Sequence, residues 1–84
     1  MKVQVLYFAS AKEALEGLTG ESYEASNLSE LMSLIRKRHA TRTNFQDILK
    51  TSMIALNDEY VYEMASVGLK EGDEVAVIPP ISGG

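Results

Sequence analysis

The chain has no cysteine, no tryptophan and a single histidine, His39. Without cysteine there is no disulfide framework and no thiolate metal site. One histidine excludes a multi-histidine metal centre and a histidine-pair mechanism, so no metal site is expected. A reducing compartment suits such a chain, and the cytoplasm is the expected location. Long hydrophobic runs are missing too. Nothing approaches the roughly 20 apolar residues that a membrane helix needs, and the opening "MKVQVLYFAS" alternates too regularly for a signal peptide. A basic surplus is also absent. With 12 acidic and 8 basic residues the net charge is −4, whereas a nucleic-acid binder usually carries a basic stripe. The only basic cluster, Arg36-Lys37-Arg38-His39, reads as cations at a helix C-terminus, where the helix dipole favours them. Neither nucleic acid nor membrane is an expected partner.

What is present suits one small globular domain. The 84 residues are 45% apolar and 24% charged, enough for a modest core and too few for two domains. "KVQVLYF" alternates as a strand, with Val3, Val5 and Tyr7 on one face and Gln4, Leu6 and Phe8 on the other. In "SAKEALEG", Ser10 and Glu13 have capping-box spacing and Gly17 stops a short helix. "ESYEA" suits a brief second strand. "NLSELMSLIRKRH" is the clearest helix: Asn27 caps it, Glu30 follows three residues on, and Leu28, Leu31, Met32 and Ile35 form one apolar stripe. "TNFQDILK" reads as another short helix with Phe45, Ile48 and Leu49 inward. "MIALNDEYVY" reads as a hairpin around Asn57-Asp58-Glu59, and "LKEGDEVAVIPP" as a turn at Glu71-Gly72-Asp73 and a last strand ended by Pro79. The order predicts an α+β domain with helices packed on one face of a small mixed sheet.

No side-chain constellation looks catalytic. The acids of "KEGDE" suit a solvated turn, and "NDE" at 57–59 lacks the spacing and glycine of a calcium loop. Ser82 has no base near it in sequence, and His39 suits a helix end better than a general base. The unusual feature is the C-terminal "PPISGG". Pro79-Pro80 pins an extended path, and the four residues beyond it, Ile81, Ser82, Gly83 and Gly84, reach at most about 13–14 Å. The expected organisation is therefore a domain over 1–80 and a flexible Gly-Gly tail over 81–84. A tip without side chains can thread a channel too narrow for other residues and deliver its carboxylate into another protein's site. A carboxylate is a poor electrophile, so such use implies activation, for example as an acyl-adenylate made by an ATP-using partner, and a second partner that receives the product.

Taken together, "VLYFASAKE", "NLSELMSLI", "LNDEYV" and above all "LKEGDEVAVIPPISGG" resemble the small-subunit family of molybdopterin synthase, which are ubiquitin-like sulfur carriers. The features run in the family's order across nearly the whole chain, and the last stretch is the specific one. The resemblance implies a ubiquitin-like β-grasp fold with the first and last strands parallel in mid-sheet. It implies no bound cofactor: an E1-like enzyme adenylates Gly84 with ATP and magnesium, and a sulfur donor converts the adenylate to a thiocarboxylate. The large synthase subunit, which by the same resemblance forms a heterotetramer with two copies of each chain, then receives the tail. There the sulfur passes to cyclic pyranopterin monophosphate to form molybdopterin.

The family's docking patch maps to Phe8 on the first strand, Tyr60 on the hairpin and Ile78 before the prolines, with Pro79 and Pro80 beside it. Ile78 stands where the family often has a larger group. Residue alternation agrees in part: if Val3, Val5, Val75 and Val77 face the helices, then Leu6, Phe8 and Ile78 lie on the open face. An exposed apolar patch there points to a partner, unless loops or a helix fold over it. Other readings of the same sequence are a carrier for thiamine or tRNA thiolation, a ubiquitin-like modifier joined to lysines, and an interaction module with an idle tail.

Overall fold

The computed structural model describes residues 1–80; Ile81, Ser82, Gly83 and Gly84 lie outside the described residues. The chain runs β1 (Lys2–Tyr7), α1 (Ala9–Ala14), β2 (Gly20–Glu24), α2 (Leu28–Arg38), α3 (Thr43–Thr51), β3 (Met53–Leu56), β4 (Glu59–Val61), a 3₁₀ turn (Met64–Ser66) and β5 (Glu74–Ile78). Among the described residues the strands form one mixed sheet in the order β2-β1-β5-β3-β4. The expected β-grasp arrangement is present: β5 is the central strand, parallel to β1 and antiparallel to β3.

Alternation along the strands decides which side is buried. Val3, Val5, Tyr7, Val75 and Val77 point to the helix layer and are almost fully buried. The α2 stripe of Leu28, Leu31, Met32 and Ile35 packs there, with Phe45 and Leu49 of α3. Ile48, expected inward, is only partly buried.

Local chemistry explains most of the boundaries. At the start of α2 the Asn27 side chain accepts from Glu30 N–H at 2.8 Å. The Glu30 carboxylate accepts from Ser26 N–H at 2.6 Å, one residue before the cap. At the far end, the Gln46 amide of α3 donates to the carbonyls of His39 and Arg36 at 2.8 and 3.1 Å. That satisfies helix-end acceptors that would otherwise lack partners. The β3–β4 turn is tighter than expected: Asn57 and Asp58 alone form it, both at positive φ (47° and 72°), and Glu59 already belongs to β4. Asn and Asp are the residues that tolerate this geometry best after glycine.

The 71–73 turn is more than a solvated loop. Asp73 accepts from Lys70 N–H at 2.7 Å and from the Asn57 amide at 2.9 Å. Asn57 in turn accepts from Glu74 N–H at 2.9 Å. Gly72, at φ +85°, donates to Lys2 C=O at 2.9 Å. These bonds tie the hairpin and the start of β5 to the start of β1.

The predicted Ser10–Glu13 capping box is not formed. The residue before α1 is Phe8, and no side chain caps the helix. Phe8 is still bound to the sheet, its N–H donating to Val77 C=O at 3.2 Å, while its own carbonyl accepts from Ala11 and Lys12. The chain must therefore turn at Ala9, which takes φ +49°, and Ser10 already lies inside the helix. An alanine in this region costs on the order of 1–2 kcal/mol, so the turn is held by the pairing on either side of it.

Gly20 opens β2 where the backbones approach closely: a Cβ built there would lie 2.7 Å from the Val5 carbonyl oxygen. Gly20→Ala should therefore destabilise the fold by about 1–3 kcal/mol, the cost of forcing an extra carbon into a packed site. Urea denaturation of the two proteins measures this directly; unchanged stability would mean that β2 shifts freely at its first residue.

Candidate functional site

The register assembles a patch on the face of the sheet away from the helices. Leu6, Ala76, Ala55 and Tyr60 lie side by side across β1, β5, β3 and β4. Ile78 and Met53 form a second row, and the Phe8 N–H to Val77 bond brings Phe8 beside Ile78. Phe8, Met53 and Tyr60 are 45%, 38% and 52% exposed. Leu6, Ala76 and Ile78 are half-buried. Neither a loop nor a helix covers the three large side chains among the described residues.

The expected patch residues Phe8, Tyr60 and Ile78 thus share one face. Phe8 is not a β1 residue, as expected from the sequence, but the first residue past it. The correction matters for geometry, because the strained Ala9 turn sets the direction in which the chain leaves Phe8. Met53 was missed. Its place opposite Ile78 depends on the β3–β5 register, which a pattern within one strand cannot reveal. Pro79 is buried and Pro80 exposed, so the chain leaves the central strand at the border of this patch. Ile81, Ser82, Gly83 and Gly84, the expected tail residues, lie outside the described residues.

On the helix side, one titratable cluster forms around Glu21 of β2. Its Oε2 accepts from Tyr7 Oη at 2.6 Å, Tyr23 Oη at 2.7 Å and His39 Nε2 at 2.6 Å. Its Oε1 pairs with Arg38 at 3.2 Å. Tyr7, His39 and Phe45 rings meet edge to face around it. Burial raises the Glu21 carboxyl, but the hydrogen bonds from Tyr7, His39, Tyr23 and Arg38 outweigh it and hold the group at about 2, against 4.5 for a free glutamate. Burial, and then the bond to Glu21, push Tyr23 up to about 12 and Tyr7 far above its ordinary value. His39 is a helix-end residue as expected, and its ring is spent on Glu21. With Tyr7 held in its neutral form and Glu21 satisfied from both oxygens, the cluster is suited to joining β1, β2 and α2 and not to proton transfer. Among the described residues no three His, Asp or Glu side chains gather as a metal cage, and no helix is long and apolar enough to cross a membrane.

Comparison with known proteins bears on the open face and on the stretch beyond Pro80. The ThiS family profile matches residues 5–84. The chain is 38% identical over 84 residues to the molybdopterin synthase sulfur carrier subunit of Chlamydomonas reinhardtii, covering all of both chains. It is 34% identical over 85 residues to the subunit of the same name from Homo sapiens, covering 99% of this chain and 94% of that one. Among solved structures, it superposes with a TM-score of 0.77 and 27% identity on a chain in the complex of subunits 1 and 2 of the molybdopterin-converting factor of Helicobacter pylori, covering all of both chains.

The Glu21 cluster generates a prediction that needs no partner. Its folded value lies below its unfolded one, so the stability it contributes is fully present above about pH 4.5 and is lost as pH falls towards about 2. Unfolding free energy followed by urea titration across that window should fall more steeply for the native chain than for Glu21→Gln, which is destabilised but lacks this titration. Parallel acid limbs would show that Glu21 is not held ionised by its neighbours.

Proposed function

Since the chain belongs to the ThiS family, we propose that it is a sulfur carrier of the molybdopterin synthase type, working in the cytoplasm and delivering sulfur from a thiocarboxylate at Gly84. The observation that carries this reading is the full-length match to a sulfur carrier subunit, which extends through the Pro-Pro and Gly-Gly ends of the chain. A relative found in a two-subunit complex supports a large subunit as the docking partner, in a heterotetramer with two copies of each chain.

The chemistry runs in three steps. An E1-like partner, which holds the ATP and magnesium, joins the Gly84 carboxylate to AMP and releases pyrophosphate. A sulfur donor then displaces AMP and leaves a C–S bond in place of one C–O bond. In the large subunit the thiocarboxylate gives its sulfur to cyclic pyranopterin monophosphate, and the tail returns as a carboxylate. This chain contributes three things: the reactive carbonyl, a tip formed by Gly83 and Gly84 that is narrow enough to enter both partners, and a docking face. Phe8, Tyr60, Met53 and Ile78 supply the apolar area of that face. Pro79, buried, and Pro80, exposed, close the central strand at the border of that face.

Two measurements test the reading. Phe8→Ala and Tyr60→Ala should each weaken binding to the large subunit by about 1–2 kcal/mol, roughly 5–30-fold, with thermal stability unchanged because both side chains are exposed. Calorimetry that finds wild-type affinity for both would remove the open face from the docking role. Deleting Gly84 retracts the reactive carbon by about 3.3–3.6 Å, and misplacement of that size costs about 100-fold in a positioned reaction. The deletion should fold normally and show no thiocarboxylate by intact mass, where sulfur replacing oxygen is resolved. Full sulfur transfer by this variant would refute the carrier mechanism, and lysine-linked adducts of the native chain in place of thiocarboxylate would establish a protein modifier.

A further inference from the structure

The edge of the sheet opposite Tyr60 carries a second surface. β2 is a terminal strand, paired only with β1 among the described residues. Tyr7 N–H donates to Thr19 C=O, and Ala25 N–H donates to Met1 C=O. In an antiparallel ladder this phase turns the backbone groups of Gly20, Ser22 and Glu24 outward. Between that edge and α2 lies a groove of about 410 Å³ lined by Tyr23, Glu24, Leu34, Lys37 and Arg38. A second depression continues from it around the strand to Lys2 and Ser22.

The groove has an apolar floor and a cationic wall. Leu34, Lys37 and Arg38 are spaced i, i+3 and i+4, so they form one stripe of α2. Lys2, Lys37 and Arg38 outnumber the one carboxylate of the lining, Glu24, which pairs with the N-terminal ammonium at 3.1 Å, so this edge is locally basic in a chain of net charge −4. Arg38 lies over the Tyr23 ring at 4.0 Å and donates to the outward carbonyl of Ser22 at 3.3 Å. Charged side chains commonly guard exposed strand edges in this way. The bond to the Ser22 carbonyl is the weak part of this guard, because 3.3 Å is long for an N–H···O bond, whereas Arg38 is held in place by Glu21 and Tyr23. Neither Lys37 nor Lys2 has an ion-pair partner among the described residues.

We propose that this edge takes an extended acidic and apolar segment of a partner protein, added to β2 as a further strand. The partner's backbone N–H replaces Arg38 at the Ser22 carbonyl. Its apolar side chains rest on Tyr23 and Leu34, and its carboxylates meet Lys37, while the Arg38 guanidinium leaves the Ser22 carbonyl and keeps its pair with Glu21. Strand addition of this kind takes affinity from main-chain bonds and selectivity from alternate side chains. A second copy of this chain is the poorer occupant: two-fold pairing through β2 would face Lys37 and Arg38 of both copies across one cleft. Because β2 and β4 are opposite edges, the segment can be held while the open face is engaged. The proposal is independent of the sulfur-carrier reading.

The test is a titration of the ¹⁵N-labelled full chain with a blocked hexapeptide of alternating aspartate and valine, followed by amide chemical shifts. The expected result is saturable shifts centred on Gly20, Ser22, Glu24 and residues 34–38, weakened by added salt. Lys37→Glu, at an exposed position, should lower affinity about fivefold or more, the scale of a surface ion pair at the upper end of its range. Leu34→Glu should do likewise, and a lysine–valine peptide should not bind. Absence of saturable shifts at millimolar peptide, shifts confined to the open face, or indifference to Lys37→Glu would each overturn the proposal. So would concentration-dependent self-association through β2 seen by sedimentation.

Discussion

The parallel pairing of β1 with β5 is the constraint on which the rest depends. Parallel neighbours cannot be joined by a tight turn, so the chain must cross over between the end of β1 and the start of β5. That stretch supplies the helix layer and also β2, β3 and β4, which return to the same sheet on either side of the β1–β5 pair. With β5 central and flanked by β1 and β3, the last strand is fully hydrogen-bonded when it reaches Pro79. The same pairing fixes Phe8, whose N–H binds Val77 although β1 has ended. The strained Ala9 turn, the open-face patch and the exit of the chain are therefore consequences of one register.

The two faces of that sheet solve opposite problems. The helix side is packed with valine, leucine and phenylalanine, and it admits one carboxylate only because four donors converge on it. Removing any one donor would leave Glu21 less well compensated in a partly buried site, where an unsatisfied charge is expensive. The open side has no such network. Its centre is two alanines, Ala55 and Ala76, and its larger groups stand at the margins, where exposure of a single apolar side chain costs little.

Much of this was legible in the sequence. The α2 stripe and its Asn27 cap are local signals at helical spacing, and the alternation of β1 and β5 separates Val3, Val5, Val75 and Val77 from Leu6 and Ile78 without any knowledge of pairing. The hairpin was legible from Asn57 and Asp58, though not its two-residue length. What was not legible depends on residues far apart in the chain. The Ser10 cap failed because Phe8 is claimed by Val77, 69 positions away. The Glu21 cluster joins residues 7, 21, 23, 38 and 39, and no spacing rule marks a glutamate in a polar-looking strand as the acceptor for two tyrosines and a histidine. Met53 joins the patch only through the β3–β5 register. The resemblance read from the sequence grouped Phe8, Tyr60 and Ile78; strand alternation alone grouped Leu6, Phe8 and Ile78 and left Tyr60 out.

A carrier that must leave each partner needs a face strong enough to orient its tail and weak enough to release. Obligate interfaces are larger and more hydrophobic than transient ones, and a face of that kind would be a liability on a free monomer. As the docking face proposed above, the open side meets both limits. Its flat alanine centre allows close approach without deep interlocking, while Phe8, Met53 and Tyr60, each about half exposed, give separate anchors whose burial can add up without any one being essential to the fold. Because these groups sit on β3, on β4 and on the residue that follows β1, around the central strand, a partner that buried them would also fix the direction of β5.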